Sequence, residues 1–258
     1  MTFPELLSRY LRQQRELGEQ EVFLDGLTAE EAVDILSGKR RVVPAPRPAA
    51  PPVEAAVTAA PPPPSPAAGG REDRAAALRV LRQEAEACTR CRLHQTRTTV
   101  VFGEGNPAAE VVVVGEAPGA EEDRAGRPFV GRAGKLLDRL LLSVGLPRED
   151  VFICNVLKCR PPQNRDPLPD EVDHCVPFLR GQIAAIAPRV LLAVGKHAVR
   201  VLTGSEASIG QLRGRIHVYD GIPLVATYHP AYLLRSPHQL RTAWQDFQLL
   251  RQVLDETE

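Results

Sequence analysis

Several scarcities bound this chain before any motif is considered. Aromatic residues make up only 5% of its 258 positions. Its 24 prolines crowd together, so part of the chain is expected to lie outside any packed core. No apolar run approaches the roughly 20 residues needed to cross a bilayer. The start, Met1-Thr2-Phe3-Pro4-Glu5, lacks the basic and apolar segments of a secretory leader, and a cytoplasmic protein is expected. Neither charge sign is in excess, with Lys plus Arg and Asp plus Glu at 32 each. That excludes the global basic field of many nucleic-acid binders. Residues 71–258 carry 25 basic and 23 acidic side chains, so any nucleic-acid contact must come from a local patch. Cysteines are few and odd in number, at 88, 91, 154, 159 and 175. In a cytosolic chain this argues against a disulfide framework and for metal ligation.

What is present falls into three regions. Residues 3–37 show helical periodicity in two pieces, the second opening on Thr28-Ala29-Glu30-Glu31, which resembles a capping box. Residues 1–40 thus read as a short helical extension able to dock a partner protein. From 41 to 70 the chain is largely Ala, Pro and Val, including Pro61-Pro62-Pro63-Pro64, which favours an extended linker. A compact domain is expected over 71–258, beginning with a charged helix over 72–87.

Four apolar segments recur in that domain, at 111–115, 151–157, 190–195 and 223–228. Helical patterns at 133–144 and 169–187 separate the first three, and one at 238–254 follows the last. This alternation predicts an α/β fold with a parallel sheet covered by helices on both faces. A local hairpin is expected around Asp220-Gly221, between Ile216-His217-Val218-Tyr219 and Ile222-Pro223-Leu224-Val225.

The first strand, Val111-Val112-Val113-Val114, stops abruptly at Gly115-Glu116-Ala117-Pro118-Gly119. Strand ends of this kind are where α/β sheets place chemistry. Asn155 ends the second strand as a polar residue in an apolar run, and fits a fixed amide that reads a ligand's edge. His229 directly follows the fourth strand, in a segment that continues Pro230-Ala231-Tyr232-Leu233-Leu234-Arg235, and is a site candidate. Lys196 and His197, opening a helix after the third strand, are expected to be solvated. Cys88-x2-Cys91, Cys159 and Cys175 supply four thiolates, a set that suits Zn²⁺ or a [4Fe–4S] cluster alike. Cys154, beside Asn155 on the strand, points to the opposite face and reads as core. Phe129 to Lys135 lacks the first glycine and the hydroxyl residue of a Walker A loop, which is set aside. His174 as a substitute ligand is set aside too, since four cysteines suffice.

The residues Gly115-Glu116-Ala117-Pro118-Gly119, Glu122-Asp123, Gly126-Arg127-Pro128-Phe129-Val130-Gly131, Asn155-Val156-Leu157-Lys158-Cys159-Arg160-Pro161-Pro162 and His229 to Arg235 resemble the family 4 uracil-DNA glycosylases, iron–sulfur enzymes of base excision repair. The likeness covers about residues 75–254. It implies a three-layer α/β/α sandwich around a four-stranded parallel sheet, and a [4Fe–4S] cluster on Cys88, Cys91, Cys159 and Cys175. It implies a monomer acting on uracil-containing DNA. Gly115, Ala117, Phe129 and Asn155 would form the uracil pocket, with Phe129 stacking on the base and Asn155 reading its polar edge. His229 would donate to uracil O2, while Glu116 and Glu122 would support the water and the site. Ala117 stands where family 1 enzymes carry a catalytic Asp. Tyr232, Leu233, Leu234 and Arg235 would wedge into the base stack and meet phosphate, as an enzyme that extrudes its base requires.

Two other readings remain to be weighed. A related protein that traps the abasic sugar covalently carries Gly-Glu-Gln-Pro-Gly and a basic insertion, and this chain has Ala117 and Arg160-Pro161-Pro162-Gln163-Asn164 instead. A non-catalytic iron–sulfur scaffold would use residues 1–40 to dock a partner. Steady multiple-turnover excision separates the three.

Overall fold

The computed structural model describes residues 70–257. The expected N-terminal extension and, but for Gly70, the linker lie outside the described residues. In chain order the elements begin with α1 (Arg71–Glu86), β1 (Glu104–Gly105), β2 (Val111–Gly115), α2 (Ala120–Ala125), α3 (Arg132–Ser143) and β3 (Phe152–Asn155). There follow α4 (Pro169–Ile186), β4 (Val190–Val194), α5 (Lys196–Thr203), α6 (Ile209–Leu212), β5 (Ile216–Tyr219), β6 (Ile222–Thr227), α7 (Pro230–Arg235) and α8 (Leu240–Glu256).

The sheet runs β1-β3-β2-β4-β6-β5. Its central four strands are parallel, as the alternating pattern predicts, and β1 and β5 pair antiparallel at the two edges. The sheet therefore has six strands rather than four. The β5 edge is the predicted hairpin, turned at Asp220 (φ 46°) and Gly221 (φ 83°), where two positive φ values match the twist of the flanking strands. The two-residue β1 is too short to leave any periodic signal in sequence.

The continuous apolar strands are explained by helices on both faces. Val111 and Val113 share one core with Leu137, Leu140 and Leu141 of α3 and Phe247 of α8. Val112 and Val114 share the other with Phe178 and Leu179 of α4 and Val199 of α5. The α3 leucines recur at the i, i+3, i+4 spacing of one helical face, and each such burial stabilises by about 1.5–3 kcal/mol. Among the described residues no helix is long and apolar enough to cross a membrane.

Parallel strands end at a common edge, and this edge assembles the predicted residues. Gly115-Glu116 follows β2, Asn155 closes β3, Lys196-His197 follows β4 and His229 follows β6. After Asn155 the chain keeps bonding to the end of β2, with Val156 N donating to Gly115 O (2.9 Å) and Leu157 N to Glu116 O (3.0 Å). It then turns inward and delivers Lys158 and Cys159 to the opposite layer.

Candidate active site

Gly115 and Asn155 are the last register pair of β2 and β3. A Cβ on Gly115 would stand 2.3 Å from Asn155 Oδ1 and 2.5 Å from Phe129 Cζ. Only glycine lets the amide and the ring share this space. Asn155 is 2% exposed and its Oδ1 is buried without a hydrogen-bond partner. An unsatisfied buried acceptor costs about 1–3 kcal/mol, a cost that makes sense where a ligand's N–H takes it up.

Phe129 is buried against this amide with φ at 49°, a left-handed conformation that an aromatic residue adopts only when its surroundings impose it. Several contacts do so. Glu122 Oε1 accepts from Val130 N and Gly131 N at 3.0 Å each, and its Oε2 accepts from Gly119 N at 3.1 Å. Arg148 donates to Pro128 O (2.6 Å) and Phe129 O (3.3 Å) and pairs with Glu104 (2.8 Å). A Cβ on Gly134 would sit 1.8 Å from Phe129 O, so α3 meets the loop through a glycine. The carboxylate of Glu122, expected to support the water and the site, is engaged by three backbone N–H groups and positions the Phe129 loop.

His229 is the N-cap of α7, and its Nδ1 accepts from Ala231 N at 3.1 Å. The proton of the neutral ring therefore sits on Nε2. Burial, followed by the positive charge of Arg235, pushes the imidazole pKa down to about 4, with Glu122 opposing. Its ring centroid lies 5.8 Å from that of Phe129. Close approach to β4 depends on Gly195, at φ 93°, where a Cβ would stand 2.9 Å from His229 Cβ. A neutral N–H donor thus flanks the amide and the ring.

Glu116 lies beside two groups that sequence reasoning did not join to it. Its Oε2 is 3.7 Å from His197 Nε2, which is 3.3 Å from Asp166 Oδ2. Lys196 Nζ donates to the same Asp166 oxygen at 3.0 Å. Ligand atoms of Glu116, Asp166 and His197 all fall within 4.8 Å of one another. Burial pushes the Glu116 carboxyl above its ordinary range, against the positive field of His197. The expectation that His197 is solvated is corrected, for its side chain is only 16% exposed. That of Lys196 is 64% exposed, as expected. Strand-end position is the one signal that could have found His197, and a lysine next to it in sequence masks that signal. Ala117 packs against the core cluster on the α4 side.

The segment after His229 is helical. Helix α7 exposes Tyr232 at 36% and Leu234 at 45%, whereas Leu233 is 1% exposed and joins the core beside Phe247. Leu233 is thus corrected from surface wedge to core residue, because successive side chains on a helix point about 100° apart.

On the far side of β3, Cys88, Cys91, Cys159 and Cys175 line one cavity, with His174 also at its wall. Cys154 is fully buried in the core, as its strand position predicts. Burial raises the thiol pKa of Cys91 and Cys159 and pushes that of Cys175 up to about 11. Donors are already aimed at the sulfurs, with Arg97 Nη1 3.2 Å from Cys159 Sγ and Lys158 N 3.2 Å from Cys175 Sγ. Four thiols, two of them with N–H donors directed at the sulfur, suit a metal centre, whose binding expels the thiol protons. Lys158, 1% exposed, spans the two regions. Its Nζ donates to Asn155 O and to Gln182 Oε1, both at 2.6 Å, and Gln182 Nε2 donates to Phe102 O at 2.8 Å.

The comparisons with known proteins agree with this geometry. The sequence model of the uracil DNA glycosylase superfamily matches residues 102–248. The type-4 uracil-DNA glycosylase of Thermotoga maritima is 48% identical over 165 residues, spanning 63% of this chain and 86% of that protein. Those of Sulfurisphaera tokodaii and Archaeoglobus fulgidus are 42% and 44% identical, spanning 69% and 66% of this chain and 84% and 90% of their own lengths. With the glycine-floored pocket, the strand-end histidine and the four-thiol cavity joined to these matches, the chain belongs to the uracil DNA glycosylase superfamily, in its type-4 family.

Proposed function

We infer that this protein is a uracil-DNA glycosylase, hydrolysing the N-glycosidic bond of deoxyuridine in DNA and leaving an abasic site for base excision repair. The observation that carries the reading is the pocket at Gly115. There a buried, unpartnered Asn155 Oδ1 shares its space with the Phe129 ring. A flat heterocycle with an N–H on its edge satisfies both.

An extruded uracil stacks on Phe129 while Asn155 accepts from N3–H and donates to O4. Cytosine presents an acceptor and a donor at those two places, reversing both contacts. As the C1′–N1 bond breaks, its electron pair moves to uracil and negative charge grows on O2. The neutral Nε2–H of His229 stabilises that charge, a contact that strengthens only towards the transition state. Water adds to C1′ of the oxocarbenium-like sugar and its proton passes to Glu116. No carboxylate replaces the family 1 Asp at Ala117, so the electrostatics at O2 carries much of the rate. Tyr232 and Leu234 present apolar surface beside the pocket for entering the base stack, and Arg235 is placed to meet phosphate. The protein acts as a monomer in the cytoplasm, and residues 1–40 are left for a protein partner.

Cys88, Cys91, Cys159 and Cys175 hold a [4Fe–4S] cluster in this reading. The four thiols lining one cavity and the membership of the type-4 family support a cluster rather than zinc. When bound, the cluster supplies iron–thiolate bonds that tie the segment after α1, the segment after β3 and α4 together.

The test is excision from a uracil-containing oligonucleotide under multiple turnover, with anaerobically purified protein holding about four irons per chain. More than one uracil released per protein is expected. Asn155→Asp, which loses the donor to O4, should lower uracil excision and relax a discrimination against cytosine of about 10⁴-fold. Stoichiometric release, zinc without sulfide, or unchanged selectivity in Asn155→Asp would each remove one part of the reading.

A further inference from the structure

His197 has no place in the roles above, yet it is held at the same strand edge. It is the second residue of α5, directly after the Gly195 turn that admits His229. Its Nε2 is buried and aligned for a hydrogen bond with no group, while the carboxylates of Asp166 and Glu116 stand 3.3 and 3.7 Å away.

The position of Asp166 is itself built. Arg165 donates from Nη1 to Asp166 O (3.0 Å) and to Glu171 Oε2 (2.8 Å), and from Nη2 to Glu171 Oε1 (2.6 Å). Glu171 is fully buried and also accepts from Leu168 N at 2.9 Å. A braced loop therefore carries an exposed carboxylate to the imidazole.

We propose that His197 is a positioning residue for excision: its imidazole, set between Glu116 and Asp166, shields the two carboxylates from each other and holds Glu116 as the anion that receives the proton of the attacking water. The proposal rests on the role given to Glu116 above. The charged groups facing Glu116 are His197 and Lys196 from α5 and Asp166 from the loop before α4, and the same two cations face Asp166. Burial and Asp166 disfavour the Glu116 anion, whereas His197 and, more weakly, Lys196 favour it. The imidazole stands between the two carboxylates, where positive charge on it favours the ionised form of Glu116.

The sign of each substitution follows. Excision requires ionised Glu116, so the rate rises with pH on a limb set by its ionisation. Loss of His197 moves that limb to higher pH, as does loss of Lys196 by a smaller amount. Loss of the Asp166 charge moves it to lower pH.

The experiment is single-turnover excision by the cluster-bearing protein between about pH 4.5 and 8, with iron content and circular dichroism certifying each variant. His197→Ala and His197→Gln should both raise the limb, costing about 3- to 10-fold at acid pH, as expected for up to one unit of displacement. The loss should narrow as pH rises. His197→Gln retains bulk without charge, so agreement of the two separates charge from packing. Lys196→Met should move the limb the same way and Asp166→Asn the opposite way. An unmoved limb in both His197 variants, with Glu116→Gln strongly impaired, overturns the proposal alone. Wild-type excision by Glu116→Gln overturns the role of Glu116 and the proposal with it.

Discussion

The chain leaving the C-terminal end of β3 serves two sites of opposite character. The strand-end pocket is complete in the protein alone. Phe129 is fixed by Glu122, Arg148 and Gly134, Asn155 by the β2 register and by Lys158, and His229 by its own cap on Ala231. The cysteine cavity is complete only in shape. Its thiols come from the segment after α1, the segment after β3 and α4, and burial favours the protonated form of Cys91, Cys159 and Cys175, whose protons a bound metal would displace. The pocket must be rigid because the stabilisation of a developing charge depends on donors that need no reorganisation. The cavity stores its binding free energy as a tie between segments. Lys158 is the one residue described above that touches both, its side chain donating to Asn155 O and its backbone N to Cys175 Sγ.

The contrast is broken most severely at His229. His229→Ala should slow single-turnover excision by ~10²–10³, the effect of deleting one preorganised donor, with DNA affinity changed far less. The ring takes up a second proton only below the ordinary histidine range, near pH 4. It is a neutral donor throughout neutral pH, and its contribution should not fade between about pH 6.5 and 8. The same depression has a stability consequence with a definite sign. The unfolded chain binds the proton first, so stability falls as pH drops from about 6.5 towards 4. A folded His229→Ala variant that excises within a few-fold of wild type would leave Glu116 as the principal group.

A smaller effect is expected from filling the floor of the pocket. Gly115→Ala drives a methyl into Asn155 Oδ1 and Phe129 Cζ, and displacements near 1 Å at a reacting centre cost about 10²-fold. Iron content should not change. Loss of iron in this variant would show that the two sites are not separable in the way the hydrogen bonds suggest.

The smallest effect on chemistry is expected from the cavity. Cys175→Ala should lose the brown colour and lower the melting temperature, while folded protein at low temperature keeps its preference for uracil over cytosine. Cys154→Ala, in the core and facing away from Asn155, should keep both colour and preference. Equal loss of iron in the two variants, read by metal analysis, would erase the distinction between ligand and core cysteine.

Local pattern by itself determined much of this protein. Continuous Val and Leu runs mark strands covered on two faces, the i, i+3, i+4 leucines mark α3, and Asp220-Gly221 marks the hairpin, because each follows from near-neighbour geometry. Abrupt strand ends pointed to Asn155 and His229 as candidates, and Cys-x-x-Cys with two further thiols pointed to a metal. The tertiary structure alone decided three assignments. Glu122 is an acidic residue in a glycine-rich loop until the fold brings the amides of Val130 and Gly131 to it. Leu233 and Leu234 are indistinguishable until helix α7 turns one inward. His197 is a surface residue in sequence and a partner of Glu116 in space. Each depends on which segment lies across a gap of a few ångströms, and hydrogen bonds and ion pairs act over that distance in space, whatever the separation along the chain.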